Sequence, residues 1–197
     1  MTRKQSATRV PMLQFSHIGL NVEDLPTMEA FYTDVLGFTV TDRGTAIGLD
    51  LVFLSRDPRE HHQLVLGTGR PPGLPRNAIN PMFPGAINQI SFRLASLADL
   101  KAFAGILTAN GVADFIAADH GTGWSIYFDD PEGNKLEAFV DSDWYVEQPV
   151  FEPLDLSLSD EEIRRVSLER CRSGTGLEPI AAWRERMGEL MRRRLPA

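Results

Sequence analysis

Residues 86–94 read AINQISFRL, and residues 14–22 read QFSHIGLNV. These two stretches decide the fold, because one offset of 72 residues superposes them and continues beyond them. It aligns His17 with Gln89, Ile18 with Ile90, Leu25 with Leu97, Ala30 with Ala102 and Phe31 with Phe103. A single offset held through a strand pattern and a helix pattern indicates an internal repeat.

Each copy opens with a strand, 15–22 or 87–94, and continues with an amphipathic helix, 25–36 or 97–110. In the first helix Leu25, Met28, Phe31, Tyr32, Val35 and Leu36 recur at intervals of three and four; in the second Leu97, Leu100, Phe103, Ala104 and Leu107 do so. Gly37 and Gly111 follow the helices and suit the left-handed conformation that ends them. Three strand patterns then complete each copy, near 38–42, 47–55 and 62–67, and near 113–118, 124–129 and 135–140. The cluster Asp130-Pro131-Glu132-Gly133-Asn134 makes a hairpin of the last pair. The unit is therefore βαβββ, present twice, at about 14–68 and 87–141, joined by the proline- and glycine-rich segment 67–85. The expected fold class is α+β, with the two modules forming a partly open, mixed, barrel-like sheet around a cleft, helices outside.

The segments flanking the repeat have a different character. Residues 1–13 read as a flexible arm, and 14–148 as one domain holding both modules. After an extended, proline-punctuated stretch, 149–197 form a helical C-terminal extension. Ser159 with Glu162 three residues on is a capping-box signal for a helix over 160–172. A last helix begins near Pro179, carries Ile180, Trp183, Met187, Leu190 and Met191 on one stripe, and ends in Arg192, Arg193 and Arg194. Such a stripe suits this chain's own sheet or a partner subunit better than a membrane, and the terminal arginines suit a solvated helix end.

Composition narrows the function classes. Hydrophobic residues make up 43% and charged residues 24%, as in ordinary globular proteins. The net charge of −7 argues against a nucleic-acid partner, which needs a basic face. No apolar run reaches the roughly 18 residues that span a bilayer, and the basic N-terminus lacks the apolar stretch of a secretory signal. The single cysteine, Cys171, fits a reducing compartment. The expectation is a cytoplasmic protein without nucleic-acid or membrane partners.

Chemistry-bearing residues are few. The histidines are His17, His61, His62 and His120. His17 shares a strand face with Phe15 and Gly19, and the repeat puts Gln89 in the same phase. Glu137 lies between Leu136 and Ala138 on the final strand, where a carboxylate is costly unless it is paired or binds a cation. These three can converge on a divalent metal. Each also has a plain structural reading, and His61 and His62 lie beside Asp57, Arg59 and Glu60 at a loop–strand junction where surface histidines are ordinary.

The repeated βαβββ unit, with His17 opening one copy and Glu137 on the last strand, resembles the vicinal oxygen chelate superfamily (glyoxalase I, bleomycin-resistance proteins, type I extradiol dioxygenases) over about residues 14–148. The segment HGTGWSIYFDDPEGNKLEAF (120–139) resembles the closing segment of single-domain extradiol dioxygenases. The resemblance implies a ring-cleaving enzyme acting on a small aromatic vicinal diol with O2, in aromatic compound catabolism. It implies Fe(II), or Mn(II), held by His17, Glu137 and the residue at position 89. It also implies Tyr127 hydrogen-bonded to the bound catecholate, His120 near substrate and oxygen, and His62 as acid–base residue, with His61 the fallback. Two departures stand out. Gln89 replaces the family's second histidine ligand, either as an altered ligand, which would favour a harder ion, or as a mark of lost metal binding. The spacing from His120 to Tyr127 is also about two residues short of the usual.

Two other readings stay open. A glyoxalase-type isomerase or lyase wants a second carboxylate in 61–66, which has none; Glu60 lies at its edge. A bleomycin-resistance-type binding protein would use the cleft without metal. Met82, Phe83, Trp144 and Tyr145 can line the cleft mouth, and a homodimer is the expected assembly.

Overall fold

The computed structural model describes residues 14–73 and 87–192. The expected arm, Met82, Phe83, Arg193 and Arg194 lie outside the described residues. The fold is α+β, built from two βαβββ modules and a helical extension. Module one holds β1 (Ile18–Val22), α1 (Leu25–Ala30), β2 (Thr39–Ala46), β3 (Leu49–Ser55) and β4 (Leu64–Thr68). Module two holds β5 (Ile90–Arg93), α2 (Leu97–Ala109), β6 (Ile116–Asp119), β7 (Gly123–Asp129) and β8 (Lys135–Asp141). Their sheets run β1-β4-β3-β2 and β5-β8-β7-β6, and the short β10 (Glu152–Pro153) adds to the free edge of β6. The repeat extends to the pairing register. Ile18 faces Leu64 in one parallel pair and Ile90 faces Leu136 in the other, the same 72-residue offset on both strands.

Strand alternation splits each sheet into two faces. Leu20 and Val22 of β1, Val52 and Leu54 of β3 and Leu64 and Leu66 of β4 are buried in the core, as are Met28, Phe31 and Tyr32 of the helical segment between β1 and β2. In module two Leu100, Ala104 and Leu107 share that core with Ile126, Phe128, Leu136 and Ala138. The opposite faces carry Gly19 and Ser91, with His17 and Gln89 in the same phase one residue ahead of the strands.

The modules dock through the Asp130–Asn134 turn. Glu132 Oε1 accepts the backbone N–H groups of Glu23 and Asp24 at 2.7 and 2.9 Å, just before α1, and Oε2 pairs with Arg70 at 3.0 Å. The Tyr32 hydroxyl donates to Asp130 at 3.2 Å, and Phe38 meets Phe92 edge-on at 5.9 Å.

Element bounds differ from the sequence reading in several places. The first helix gives way at Phe31 to a π turn through Val35, where Leu36 N donates to Phe31 O. β2 runs to Ala46 rather than 42 because Ile47 and Gly48 both take positive φ (49° and 80°), a tight turn matched to strand twist. Ile47 hid it, since a β-branched residue seldom adopts that conformation. β1 and β5 begin at Ile18 and Ile90, so His17 and Gln89 each sit one residue before their strand. β4 begins at Leu64, so His62 lies in the preceding turn rather than on the strand. Gln63 closes that turn, its amide oxygen accepting from Arg56 N at 2.9 Å.

The extension forms α3 (Asp160–Cys171), with the Ser159–Glu162 capping box present, and α4 (Ile180–Arg192). Ahead of α4, β11 (Glu178–Pro179) pairs with β9 (Trp144–Tyr145). Of the expected apolar stripe of α4, Ile180, Trp183 and Met187 are half-buried, whereas Leu190 and Met191 are exposed. Among the described residues no helix is long and apolar enough to cross a membrane.

Candidate functional site

The open face of module two lines a cavity of about 630 Å³. Three strands supply it with period-two alternation: Gln89, Ser91 and Arg93 from β5 and the residue before it, Ser125 and Tyr127 from β7, and Glu137, Phe139 and Asp141 from β8. Register places Tyr127 and Ser91 on either side of Glu137.

Glu137 is 7% exposed, and every neighbour of its carboxylate is a donor. Ser125 donates to Oε1 at 2.7 Å, and Gln89 Nε2 and the Ser91 hydroxyl donate to Oε2. Tyr127 also bonds to this carboxylate. Burial alone would raise the Glu137 pKa, but the bonds from Ser91, Ser125, Tyr127 and Gln89 outweigh it and hold the group below its ordinary value. The same burial, with the Glu137 carboxylate alongside, pushes the Tyr127 phenol well above its usual range.

His120 completes the cluster. Its Nδ1 lies 2.8 Å from the Val150 carbonyl, which only accepts, so Nδ1 carries a proton. Nε2 faces the Tyr127 hydroxyl at 2.9 Å and Glu137 Oε1 at 3.9 Å. The phenol has one hydrogen, which it gives either to His120 Nε2 or to the Glu137 carboxylate.

His17 and His62 form a second cluster, on module one. Their rings lie 4.2 Å apart, Phe53 packs on His62 at 5.2 Å, and His61 Nδ1 lies 2.9 Å from His62 Nδ1. Burial, followed by repulsion from His17 and His61, lowers the His62 pKa, which suits a proton acceptor. The imidazole within 4 Å of Glu137 is thus His120, not His17. The six sequence candidates divide into Gln89, His120, Tyr127 and Glu137 in one group and His17 and His62 in the other.

The metal centre that the resemblance implies needs these groups joined. Within one copy, Gln89, Tyr127 and His120 surround Glu137, and Gln89 turns its NH2 rather than its carbonyl to the carboxylate. Among the described residues no three His, Cys, Asp or Glu side chains gather as metal ligands. Val65 is the module-one counterpart of Glu137, so that module adds no carboxylate. One copy by itself therefore does not fit a divalent metal.

Sequence reasoning missed Ser91 and Ser125, although their phase with Gln89 and Tyr127 carried the signal. Trp144 corrects an expectation: it is buried against Trp124, ring centroids 5.8 Å apart, because β9 turns it to the core and its neighbour Tyr145 to the cavity.

Two βαβββ modules, each with an open sheet face and with His17 and Gln89 at equivalent positions, define a paired-module fold. The family model for the Glyoxalase/Bleomycin resistance protein/Dioxygenase superfamily matches residues 14–138, and the chain belongs to that superfamily. Biphenyl-2,3-diol 1,2-dioxygenase 3 of Rhodococcus globerulus is 31% identical over 129 residues, 66% of this chain and 64% of the relative. Biphenyl-2,3-diol 1,2-dioxygenase 2 of the same organism is 29% identical over 131 residues, 66% of this chain and 63% of its own length. The chain thus spans less than two thirds of these relatives. A glyoxylase/bleomycin resistance protein/dioxygenase domain from Frankia sp. EAN1pec shares the fold, with TM-score 0.55, 24% identity, and coverage of 66% of this chain and 93% of that one. The fosfomycin resistance protein FosX from Listeria monocytogenes, solved with Mn(II) and sulfate, gives TM-score 0.50 at 19% identity, over 66% of this chain and 94% of that one.

Proposed function

We propose that this chain is an extradiol-dioxygenase-like enzyme that takes a small aromatic vicinal diol into the module-two cavity and cleaves its ring with O2. The observation that carries the reading is the Glu137–Tyr127–His120 array at the cavity floor, joined to the likeness to two biphenyl-2,3-diol dioxygenases. A diol entering the cavity meets a carboxylate able to accept one hydroxyl and a phenol able to bond the other. Tyr127 is backed by His120, which the Val150 carbonyl holds with its proton on Nδ1 and its Nε2 toward the phenol. Because O2 reacts sluggishly with a closed-shell diol, a redox metal, Fe(II) or Mn(II), supplies the oxygen chemistry when bound.

When a metal is bound, Gln89 and Glu137 of one copy, with the Gln89 amide turned over, and His17 of a second copy would be the residues that hold it. The second copy's His62 is then the base that accepts the diol proton. A homodimer with module one of each copy facing module two of the other is part of the same proposal. A cytoplasmic location belongs to the same proposal, and Cys171, buried and unpaired, suits it.

A second reading has its own support. Glu137 is already satisfied by neutral donors, as a carboxylate in a metal-free binding protein would be. Elemental analysis of anaerobically purified protein, with oxygen uptake on biphenyl-2,3-diol, separates the two. About one iron or manganese per chain with diol-dependent uptake is the expected result. Protein that stays metal-free after incubation with Fe(II) and with Mn(II), yet binds the diol, establishes the second reading instead.

A further inference from the structure

The C-terminal extension enters the same cavity. Pairing of β11 with β9, and donation from Ile180 N to Asp143 O at 3.0 Å, start α4 against the wall. Trp183 stacks on Tyr145 with centroids 5.1 Å apart and planes 18° from parallel. One residue on, Arg184 Nη2 reaches Asp141 Oδ2 at 2.9 Å. From β5, Arg93 also bonds Asp141, and its guanidinium lies 4.5 Å over the Phe139 ring. Two permanently charged guanidiniums therefore share one carboxylate, and one positive charge at the cavity rim is left over.

The spacing of this charge from the floor is set by β8. Phe139 and Asp141 lie two and four residues beyond Glu137 on the same strand face, which is about 7 and 13 Å at roughly 3.3 Å per residue. The same cavity is lined by the flat rings of Phe139, Tyr145 and Trp183. Repulsion from Glu137 at the far end of the rise is weak, because about 13 Å exceeds the Debye length of about 8 Å at physiological salt.

We propose that Arg93 and Arg184 form an anion subsite, and that the ligand is an aromatic carboxylate whose ring lies against Phe139 and Trp183 with its carboxylate at the two guanidiniums. The proposal rests on the reading that this cavity holds a small aromatic molecule. It assigns α4 a part in specificity, and the helix lies beyond residues 14–138, the part the superfamily model matches. Asp141 is then a placeholder: it holds the arginines in position and yields part of their hydrogen bonding to the ligand.

The test is calorimetric titration of the full chain with two probes, biphenyl-2,3-diol and the same diol carrying a 4′-carboxylate, at low and high salt. The carboxylate is expected to bind about tenfold tighter or better at low salt, as charge-assisted hydrogen bonds do, with the ratio shrinking at high salt. The double substitution Arg93→Gln with Arg184→Gln is expected to bring the ratio to about one, and Asp141→Asn to raise it. Equal affinities in the unaltered protein overturn the anion subsite and leave the aromatic cavity standing. A preference that survives the double substitution also overturns it. Failure of both probes to bind removes the cavity reading together with the subsite.

Discussion

Replacing Glu137 by glutamine asks directly what the buried carboxylate is doing. In the structure it accepts from Ser91, Ser125, Gln89 and Tyr127. The amide keeps the shape and one acceptor oxygen, but it presents NH2 where two donors now point. A hydrogen bond to a charged group contributes about 1.5–3 kcal/mol and a neutral one about 1 kcal/mol. Ser125 can rotate and Tyr127 can turn to His120, so the loss is a surplus on a few bonds, partly offset by no longer burying a charge. The expected destabilisation of metal-stripped protein is about 1–3 kcal/mol at pH 7. Urea unfolding followed by the fluorescence of buried Trp124 and Trp144 measures it, with an unchanged denaturant slope. The pH dependence carries a sign. The folded pKa of Glu137 is below its ordinary 4.5, so its stabilisation is present above pH 4.5 and is lost as pH falls through the lower folded value. The gap between wild type and Glu137→Gln is therefore expected to close in that acid window. A glutamine variant more stable than metal-stripped wild type would refute the reasoning, since it would mean the carboxylate is an uncompensated charge awaiting a cation.

Three further substitutions probe the scaffold and the site. Glu132→Ala removes the acceptor of two backbone N–H groups and the partner of Arg70, and about 2–3 kcal/mol of stability is expected to go with it; a loss under about 0.5 kcal/mol in urea unfolding would show that the turn does not hold the modules. Gly123→Ala brings a Cβ to 2.6 Å from the Val140 carbonyl oxygen, a backbone atom that cannot step aside, so the β7–β8 ladder must shift at about 1–3 kcal/mol, read as a lower thermal midpoint. Gln89→His is expected to strengthen Fe(II) binding in competition with a chelator, because imidazole is the better donor to that ion; an unchanged affinity would place Gln89 outside any metal shell.

Much of this architecture is legible in one dimension because its causes are local. Apolar spacing in 25–36 and 97–109 dictates helices, and alternation around Ile18, Ile90 and Glu137 dictates strands that are buried on one face. The repeat then transfers register as well as type, which is why Ile18–Leu64 and Ile90–Leu136 agree. Alternation brought Gln89 and Glu137 together, whereas Tyr127 was expected beside them only through the family resemblance. Less legible were elements whose cause is a single backbone conformation: the Ile47–Gly48 turn that lengthens β2, and the Gln63-closed turn that keeps His62 off β4.

The sequence alone determined the α+β class, the two modules and the residues on each open sheet face, since periodicity acts through neighbours along the chain. Only the tertiary structure decided which of those faces meet. Glu132, Arg70, Phe38 and Phe92 dock the modules so that His17 stays with His62 while Glu137 takes His120 as its imidazole, and no spacing encodes that choice. Pairing of β9 with β11 likewise carries α4, remote in sequence, to the rim of the cavity, because a strand edge recruits whatever segment can reach it.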